Sequence, residues 1–317
     1  MPITVIGCGR WGTFLAWYLS TWAGRQVLLY GRSSSRHMQQ LLQTRRNEYL
    51  ALPPAVTLTT DPQAALSHSQ TVVISVSTQS LRGLLTELPG LQEKELVFCM
   101  KGIEEGTGLR LTQIAAQCGC HHTAVWVGPG HVQDFLRGCP NCMVIDSLDS
   151  QRTRRLAGLF SSDLIRFYYG RDLIGNEIGA AAKNVIGIAA GLLDGLDRSS
   201  LKGALMARGA REIARLIGAL GGEEMTAYGL SHLGDYEATV FSPHSHNRQF
   251  GEAFAKNIPF AGGLAEGAYT VKALMLLSQR TGMELPICQT VEQVIHHGQP
   301  PKEALSSLFL RSLKEEF

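Results

Sequence analysis

Three closely spaced glycines stand near the start of the chain, in a pattern that could bind a phosphate. Gly7-Cys8-Gly9-Arg10-Trp11-Gly12 fits G-x-G-x-x-G, follows a β-branched run at residues 3–6 and opens an apolar helical stretch. Such glycines allow a tight turn, close approach of the backbone to a pyrophosphate and close packing of helix on strand, while the helix N-terminus favours an anion. A tight turn without a ligand is the alternative, but the strand–turn–helix context predicts a dinucleotide.

The loop after the second predicted strand bears on which dinucleotide binds. A carboxylate about 20 residues beyond the glycines would accept a hydrogen bond from the ribose 2′-hydroxyl. Here the segment is Tyr30-Gly31-Arg32-Ser33-Ser34-Ser35-Arg36, and it contains no acid. Because arginine pairs with phosphate as a fork, Arg32 favours NADP(H), with NAD(H) as the alternative cofactor. A solvated polar loop would have the same composition.

Lys183 is the most informative candidate in the second half of the chain. It lies in Gly179-Ala-Ala-Ala-Lys183-Asn184-Val-Ile-Gly-Ile, an otherwise apolar helical stretch. Desolvation lowers the pKa of a lysine toward the range that is useful for proton transfer. A lysine in this setting can instead extend its ammonium to solvent or pair with a buried acid. The pattern alone leaves these interpretations open.

Alternating strands and helices are predicted to position these residues. Short apolar runs occupy residues 3–6, 26–30, 71–76, 95–99, 123–127, 142–146 and 164–168. This pattern predicts an α/β fold with a doubly wound, mostly parallel sheet of the Rossmann type. After Gly170 the strand pattern ends, and long apolar helical stretches follow. We therefore expect a dinucleotide-binding domain at residues 1–170 and an all-helical substrate-binding and catalytic domain at residues 171–317.

Length and composition argue against several classes of protein. The chain has 317 residues, and Lys+Arg 29 against Asp+Glu 27 gives a net charge of +2, which offers no electrostatic case for a nucleic-acid partner. The apolar run at residues 185–193 is too short to cross a bilayer and no secretory signal is visible, so we expect no membrane span. Seven cysteines indicate a reducing cytoplasm rather than a disulfide framework. Small residues on the apolar helices suggest a homodimer.

Two cysteine clusters have spacing that is compatible with zinc. Cys118 and Cys120 precede a pair of histidines, and Cys139 and Cys142 are three residues apart. A structural zinc site needs four ligands that converge in space, which a sequence cannot show. Free thiols are the simpler interpretation, and we expect no metal.

Eight segments, in order along nearly the whole chain, carry a resemblance to one enzyme family. Besides the glycine turn they are Val76-Ser-Thr-Gln-Ser-Leu-Arg82, Lys101-Gly-Ile-Glu104, Gly128-Pro-Gly-His131, Gly179-Ala-Ala-Ala-Lys-Asn-Val185, Gly229-Leu-Ser-His-Leu-Gly-Asp235, Ser242-Pro-His-Ser-His-Asn-Arg-Gln-Phe-Gly251 and Ala265-Glu-Gly-Ala-Tyr269. The chain resembles the bacterial-type NAD(P)-dependent glycerol-3-phosphate dehydrogenases. The resemblance implies reversible hydride transfer between NAD(P)H and dihydroxyacetone phosphate, giving sn-glycerol 3-phosphate for glycerophospholipid synthesis.

The resemblance also implies roles for individual residues. Lys183 would be the catalytic acid/base, Lys101 would polarise the carbonyl, and Asp235 would contact a substrate hydroxyl or Lys183. From the residues alone, Asp235 would more simply be a helix N-cap. The substrate-binding set that the resemblance implies is Lys101, Gly128, Gly130, Lys183, Asp235, Ser245, His246, Asn247 and Arg248. The cofactor-binding set is Gly7, Gly9, Arg10, Trp11, Gly12, Arg32, Lys101, Val132, His246 and Glu266.

Two positions depart from the family pattern and keep other functions open. Gly130 stands where the family has serine, and His246 stands where it has arginine. The loss of a hydroxyl and of a fixed charge would weaken contacts to the substrate. A ketopantoate-type or 3-hydroxyacid-type reductase shares this layout but takes a carboxylate substrate. A dinucleotide-binding regulator without turnover is the other alternative, against which the intact Lys183 and Lys101 argue.

Overall fold

The structure, a computed structural model, describes residues 1–262 and 265–310. By compactness the chain divides into two units. The first comprises Met1–Lys101 and Leu109–Glu177, and the second comprises Gly102–Gly108 and the chain from Ile178 onward. The assignment of residues 1–170 and 171–317 to separate functions stays a prediction.

The first unit is built on a sheet of eight strands within the described residues. These are β1 (Pro2–Ile6), β2 (Gln26–Tyr30), β3 (Thr57–Thr59), β4 (Thr71–Ile74), β5 (Glu95–Phe98), β6 (Thr123–Val127), β7 (Asn141–Asp146) and β8 (Ile165–Tyr169). Their order is β3-β2-β1-β4-β5-β6-β7-β8, all neighbours being parallel except the antiparallel pair β6 and β7. The predicted Rossmann-type, mostly parallel sheet is confirmed, with β3 as an additional strand.

Helices connect the strands of this unit. They are α1 (Arg10–Thr21), α2 (Arg36–Thr44), α3 (Pro62–His68), α4 (Leu81–Glu87), α5 (Leu111–Gln117), α6 (Val132–Leu136) and α7 (Ser150–Phe160). Trp126 of β6 is fully buried among Tyr18, Phe160 and Phe167, with ring centroids 4.8–5.9 Å away. Continuous apolar strands with helices between them explain why this sheet is buried on both faces.

The rest of the described chain is helical, as predicted. Its helices are α8 (Leu173–Gly195), which begins in the last residues of the first unit, α9 (Lys202–Ala219), α10 (His246–Ala255), α11 (Glu266–Thr281), α12 (Pro286–His297) and α13 (Pro301–Phe309). By length and hydropathy α8 could cross a membrane, but 89% of its most apolar 18-residue window is buried inside the protein. That burial is typical of the core helix of a folded domain.

Glycines let the helices of the second unit approach each other closely. A Cβ at Gly191 of α8 would lie 2.0 Å from the carbonyl oxygen of Arg248, and a Cβ at Gly251 of α10 would lie 2.2 Å from that of Ile188. The two backbones are therefore in direct contact. This contact fixes the position of α10 on the helix that carries Lys183.

The short segment Gly102–Gly108 belongs to the second unit through contacts with α11. Lys272 forms an ion pair with Glu105 at 2.8 Å, and Arg280 donates a hydrogen bond to the carbonyl of Thr107 at 2.7 Å. Both residues of α11 thus hold the loop that follows β5.

Candidate active site

The backbone geometry of the glycine turn requires glycine at two of its three glycine positions. Gly7 has φ +109°, and a Cβ there would lie 2.1 Å from the carbonyl oxygen of Ser75. A Cβ at Gly12 would lie 1.9 Å from the carbonyl oxygen of Gly7, whereas a Cβ at Gly9 would meet nothing within 4 Å. Gly7 and Gly12 are thus required by packing. Gly9 instead faces open space, which a pyrophosphate needs in order to approach the backbone.

The first turn of α1 is free to bind an anion. Gly9 is the N-cap, no side chain caps the helix, and no acidic residue lies in the first turn. Unsatisfied N–H groups and the helix dipole together favour a phosphate at this end. Arg10 donates a hydrogen bond to Gln133 at 2.6 Å and lies over the ring of Tyr49. The ring of Trp11 packs against Phe14, 4.9 Å between centroids. The residues of this turn therefore fit a dinucleotide.

The loop after β2 keeps one arginine exposed and uses one serine as a helix cap. Ser35 accepts a hydrogen bond from the backbone N–H of Met38 at 3.4 Å, so that it caps α2. Arg32 is exposed and makes no ion pair with a carboxylate within residues 1–262 and 265–310. The loop thus offers a cation, and not an acid, at the end of β2.

Lys101 and Gly128 meet at the carboxyl ends of two neighbouring strands. Lys101 follows β5, Gly128 follows β6, and the Lys101 Nζ donates a hydrogen bond to the Gly128 carbonyl at 2.7 Å. Gly128 has φ +132°, and a Cβ there would lie 3.0 Å from the Cα of Met143. Ligands of open α/β sheets bind at this edge of the sheet.

The structure accounts for glycine at position 130. A Cβ on Gly130 would lie 2.3 Å from the Cε2 atom of Phe135, whose ring is buried. Phe135 belongs to α6, which begins at the buried Val132. The serine of the family pattern is thus replaced by glycine where an aromatic ring takes up the space.

In the second unit Lys183 forms a buried ion pair with Asp235. The Lys183 Nζ lies 2.8 Å from Asp235 Oδ2, and the two residues are 8% and 0% exposed. The same Nζ donates a hydrogen bond to Thr239 Oγ1 at 2.9 Å, and this hydroxyl donates to the Asp235 carbonyl at 2.7 Å. Asp235 ends a short 3-10 turn, Leu233–Asp235, and Thr239 lies in the π-helical turn Glu237–Phe241 that follows. A lysine held by one carboxylate and one hydroxyl in a water-poor site is suited to proton transfer.

Asn247 joins α8, α10 and α11 beside this pair. Its side-chain amide donates a hydrogen bond to Asn184 Oδ1 at 3.1 Å, and its Oδ1 accepts one from the backbone N–H of Gly267 at 2.9 Å. Glu266 precedes Gly267 and is the first residue of α11. Asn247 therefore links the helix that carries Lys183 to the start of α11.

The loop around Ser245 is braced by Arg248. Ser245 caps α10 by accepting a hydrogen bond from the Arg248 N–H at 3.3 Å. The Arg248 guanidinium forms ion pairs with Asp194 at 2.7 Å and Glu252 at 2.9 Å, and its Nε donates to the Ser242 carbonyl at 3.0 Å. Although burial alone would raise it, hydrogen bonds from Lys202, Ser199 and Arg248 lower the pKa of Asp194. The charge of Arg248 is thus balanced by carboxylates.

His246 lies on the exposed side of the same loop. Its Nε2 is 3.0 Å from the Gly262 carbonyl, and its ring packs edge-on against Phe260 at 4.9 Å. The side chain that replaces the arginine of the family pattern therefore contacts the segment that leads into α11.

Asn176 and Glu177, near the start of α8, form hydrogen bonds within the first unit. Asn176 donates a hydrogen bond to Asp146 at 2.7 Å, where burial raises the pKa of the Asp146 carboxyl to about 6 although the Asn176 bond opposes this. Glu177 accepts hydrogen bonds from Thr112 and pairs with Arg110.

Thr239 contacts Lys183 and was not among the predicted site residues. A lone threonine in a turn carries no spacing signal that could have identified it.

The cysteines form no bridge, and no metal cluster is found in the described part of the chain. All seven cysteines are free thiols. Within residues 1–262 and 265–310 no three His, Cys, Asp or Glu side chains lie close enough together to hold a metal ion.

A Rossmann sheet with an open glycine turn, followed by helices that bury a lysine against a carboxylate, is the arrangement of a nicotinamide-dinucleotide-dependent dehydrogenase. Comparison with known proteins narrows this class. Residues 2–153 match the model of the NAD-dependent glycerol-3-phosphate dehydrogenase N-terminus, and residues 172–306 match that of the C-terminus. The chain belongs to the NAD(P)-dependent glycerol-3-phosphate dehydrogenase family, and it is an oxidoreductase with that activity.

Individual relatives agree with this assignment. The chain is 36% identical over 326 residues to glycerol-3-phosphate dehydrogenase (NAD(P)+) of Thermus thermophilus, covering 100% of both chains. It is 38% identical to that of Deinococcus radiodurans, covering 99% of this chain and 96% of the relative. The solved glycerol-3-phosphate dehydrogenase of Coxiella burnetii superposes with a TM-score of 0.89 at 27% identity, over 98% and 99% of the two chains.

The ketopantoate-type alternative shares the fold alone. A solved ketopantoate reductase of Ralstonia eutropha superposes with a TM-score of 0.64 at 14% identity, covering 96% of this chain and 100% of that one. This explains why the layout of domains and the helix-borne lysine could not separate the two classes. The family models and the closer relatives separate them.

Proposed function

We propose that Lys183 is the acid/base of the dehydrogenase, and that its Nζ is the atom that gives a proton to the substrate and takes it back. The observation that carries this proposal is the buried contact of 2.8 Å between Lys183 Nζ and Asp235 Oδ2. A bound nicotinamide dinucleotide would supply or accept the hydride. In the reducing direction Lys183 gives a proton from Nζ to the carbonyl oxygen of the substrate. In the oxidising direction its Nζ takes the proton of the hydroxyl.

Asp235 and Thr239 hold the lysine for this transfer. The carboxylate stabilises the ammonium in a site that excludes water, and the hydroxyl fixes the direction of one N–H. Aligning a proton donor in this way contributes to the rate because the reacting groups need no reorganisation.

The substrate that we propose is dihydroxyacetone phosphate, with sn-glycerol 3-phosphate as the product. We assign substrate binding to Lys101 with Gly128 and Gly130 in the first unit, and to Ser245, His246 and Asn247 in the second. Arg248 contributes by bracing the loop that carries Ser245. The phosphorylated product suits glycerophospholipid synthesis in the cytoplasm.

For the cofactor we propose NADP(H) over NAD(H). The support is the exposed Arg32 without a carboxylate partner, at the position where NAD-binding sheets carry an acid. We assign dinucleotide binding to the glycine turn with Arg10 and Trp11, and to Lys101, Val132, His246 and Glu266. Residues 1–170 would thus contribute most of the dinucleotide-binding residues, and residues 171–317 would contribute the acid/base and most of the substrate-binding residues.

Steady-state oxidation of NADPH and NADH tests the proposal. Dihydroxyacetone phosphate, ketopantoate and no substrate are compared for the parent protein and for Lys183→Ala. We expect turnover that depends on dihydroxyacetone phosphate, and a fall in kcat of roughly 10²–10⁴-fold in the variant, the contribution that general acid/base catalysis makes. A small primary amine added to Lys183→Ala should restore part of the rate. Undiminished turnover by the variant would overturn the role of Lys183, and turnover of ketopantoate alone would overturn the substrate.

A further inference from the structure

A hydrogen-bonded pair of buried aromatic residues flanks Asp235 on the chain. His232 and Tyr236 are both 0% exposed. His232 Nδ1 lies 2.8 Å from the Gly179 carbonyl oxygen, and His232 Nε2 lies 2.6 Å from the Tyr236 hydroxyl. Because a carbonyl can only accept, Nδ1 carries the proton, so Nε2 accepts and the Tyr236 hydroxyl donates. Tyr236, His232 and Gly179 thus form one directed chain of hydrogen bonds.

Two glycines make the space for this chain. A Cβ at Gly179 of α8 would lie 3.0 Å from the Cβ of His232. A Cβ at Gly209 of α9 would lie 3.3 Å from the Tyr236 hydroxyl oxygen. The imidazole and the phenol are therefore seated against the backbones of both helices, and the packing leaves little room for another arrangement.

The chain of hydrogen bonds links the two segments that carry the proposed proton-transfer pair. Gly179 is one helical turn before Lys183 on α8, while His232 and Tyr236 flank Asp235. Between them the backbone makes a tight turn, in which the Asp235 N–H donates to the His232 carbonyl at 3.0 Å. Fixing His232 and Tyr236 against α8 therefore fixes the carboxylate of Asp235 relative to the ammonium of Lys183.

The network adds no charge to this pair. Burial lowers the pKa of His232 to about 4; the bond to the Gly179 carbonyl opposes the shift and the ammonium of Lys183 reinforces it. Burial likewise raises the pKa of Tyr236 well above its usual value, with Cys288 and Glu212 acting in the same direction. At neutral pH the histidine and the tyrosine are both uncharged, so they set geometry without disturbing the balance between Lys183 and Asp235.

We propose that His232 and Tyr236 are positioning residues for proton transfer, which hold Asp235 at contact distance from Lys183. The inference rests on the proposed acid/base role of Lys183. Neither side chain needs to touch the substrate, and their effect is exerted through the carboxylate. Their loss should therefore slow the chemical step and leave the binding of substrate and cofactor nearly unchanged.

The double variant His232→Leu/Tyr236→Phe tests this inference. Replacing both side chains by apolar groups removes the donor and the acceptor of their mutual bond together, and the Gly179 carbonyl still lies within the backbone hydrogen bonds of α8, so that the fold should be retained. We expect kcat to fall at least tenfold, while KM for dihydroxyacetone phosphate and Kd for NADPH stay within threefold of the parent values. The primary deuterium isotope effect on kcat, measured with NADPH deuterated at the transferred position of C4, should rise because the chemical step becomes slower.

Tyr18→Phe is the matched control, because it also removes a buried phenol hydroxyl with two hydrogen bonds, to Phe160 and Ser162, in the first unit. We expect it to lower stability and to leave kcat and the isotope effect unchanged. If the double variant loses its secondary structure by circular dichroism, Tyr236→Phe alone carries the test, with a fall of about fivefold in kcat and the same rise in isotope effect.

Three results would overturn the inference. The first is a kcat within threefold of the parent in a folded variant. The second is a fall in kcat together with a similar rise in KM for dihydroxyacetone phosphate and in Kd for NADPH, without a change in isotope effect. That result would show a merely structural role. The third is full activity of Lys183→Ala in the same assay, which would overturn the acid/base role as well. An inactive Lys183→Ala beside a fully active double variant would overturn only the positioning role.

Discussion

Lys183 and Asp235 are 52 positions apart in the chain, yet Lys183 Nζ and Asp235 Oδ2 lie 2.8 Å apart, and both residues are buried in the helical unit. Taking two charges out of water costs free energy that only good geometry and further hydrogen bonds offset. Thr239 supplies one of those bonds to the lysine. A pair kept at this cost is better explained by the proton transfer that we propose for Lys183 than by stability.

Asp235→Asn should reduce turnover while leaving the protein folded. The amide retains the size of the carboxylate but removes its negative charge, so that the ammonium of Lys183 is no longer held in place by the ion pair with Asp235. We expect kcat to fall by about 100-fold, similar to the effect of a misplaced catalytic group. Stopped-flow measurement of NADPH oxidation checks this. A kcat close to that of the parent would show that the carboxylate is dispensable.

Gly9→Ala and Gly12→Ala should affect different properties although they are three residues apart. A Cβ at Gly12 would lie 1.9 Å from the Gly7 carbonyl, so this variant should lose about 1–3 kcal/mol of stability. A Cβ at Gly9 meets no protein atom within 4 Å, so this variant should fold normally. Its methyl group would occupy the approach of the pyrophosphate and raise the Kd of NADPH about tenfold.

Urea denaturation and a fluorescence titration of NADPH separate the two effects. The titration is done below the unfolding transition, where both variants are folded. Equal effects of Gly9→Ala and Gly12→Ala on stability would contradict the assignment of Gly9 to the ligand.

Much of the fold could be predicted because strands and helices differ in the pattern of apolar residues along the sequence. Buried parallel strands appear as short continuous apolar runs, which identified every strand except β3. Thr57–Thr59 is three residues long, with one exposed and two half-exposed residues, so it has no apolar run to detect. The helix α1 begins at Arg10, within the glycine turn, so that Gly12 lies inside its first turn.

The site could be predicted only where a residue type was unusual in its local setting. Lys183 stands out as a charge in an apolar helix. Asp235, taken alone, has the pattern of a helix cap, and its pairing with Lys183 depends on tertiary packing that no local spacing encodes. The same holds for Thr239 and His232, which act through contacts made across the helical unit.

Gly130→Ser should destabilise the protein unless Phe135 is reduced in size. The new Cβ would lie 2.3 Å from the Cε2 atom of the Phe135 ring, which is 1% exposed and has little room to move. Overpacking of this kind costs about 1–3 kcal/mol. Gly130→Ser/Phe135→Leu should recover stability relative to Gly130→Ser, measured by urea denaturation against Phe135→Leu alone. Equal costs of the serine in both backgrounds would contradict the proposed clash.

Arg32→Ser should reduce the preference for NADPH over NADH. A charge-assisted hydrogen bond to a 2′-phosphate contributes about 1.5–3 kcal/mol, so kcat/KM for NADPH should fall by roughly 10- to 100-fold. The value for NADH should change by less than threefold, because NADH lacks this phosphate. Arg198→Ser, an exposed arginine of the second unit, is the matched control and should leave both values unchanged. An equal loss for both cofactors would contradict a contact with the 2′-phosphate.

His232 should make the protein sensitive to acid. Its pKa is about 4 in the folded protein, where burial disfavours the charged form, against about 6.5 in an unfolded chain. Between these values the unfolded state binds more protons, so the contribution of this group to stability is lost as the pH falls from about 6.5 toward 4. From pH 7 to pH 5 the loss amounts to about 2 kcal/mol. His232→Asn keeps an N–H for the Gly179 carbonyl but cannot titrate, so it should lack this loss.

Asp146, whose pKa is raised, shifts stability in the opposite direction, but it is common to both proteins and cancels in their difference. The measurement is therefore the free energy of unfolding of parent minus that of variant at the two pH values. A difference that is independent of pH would show that His232 is not kept neutral by its burial.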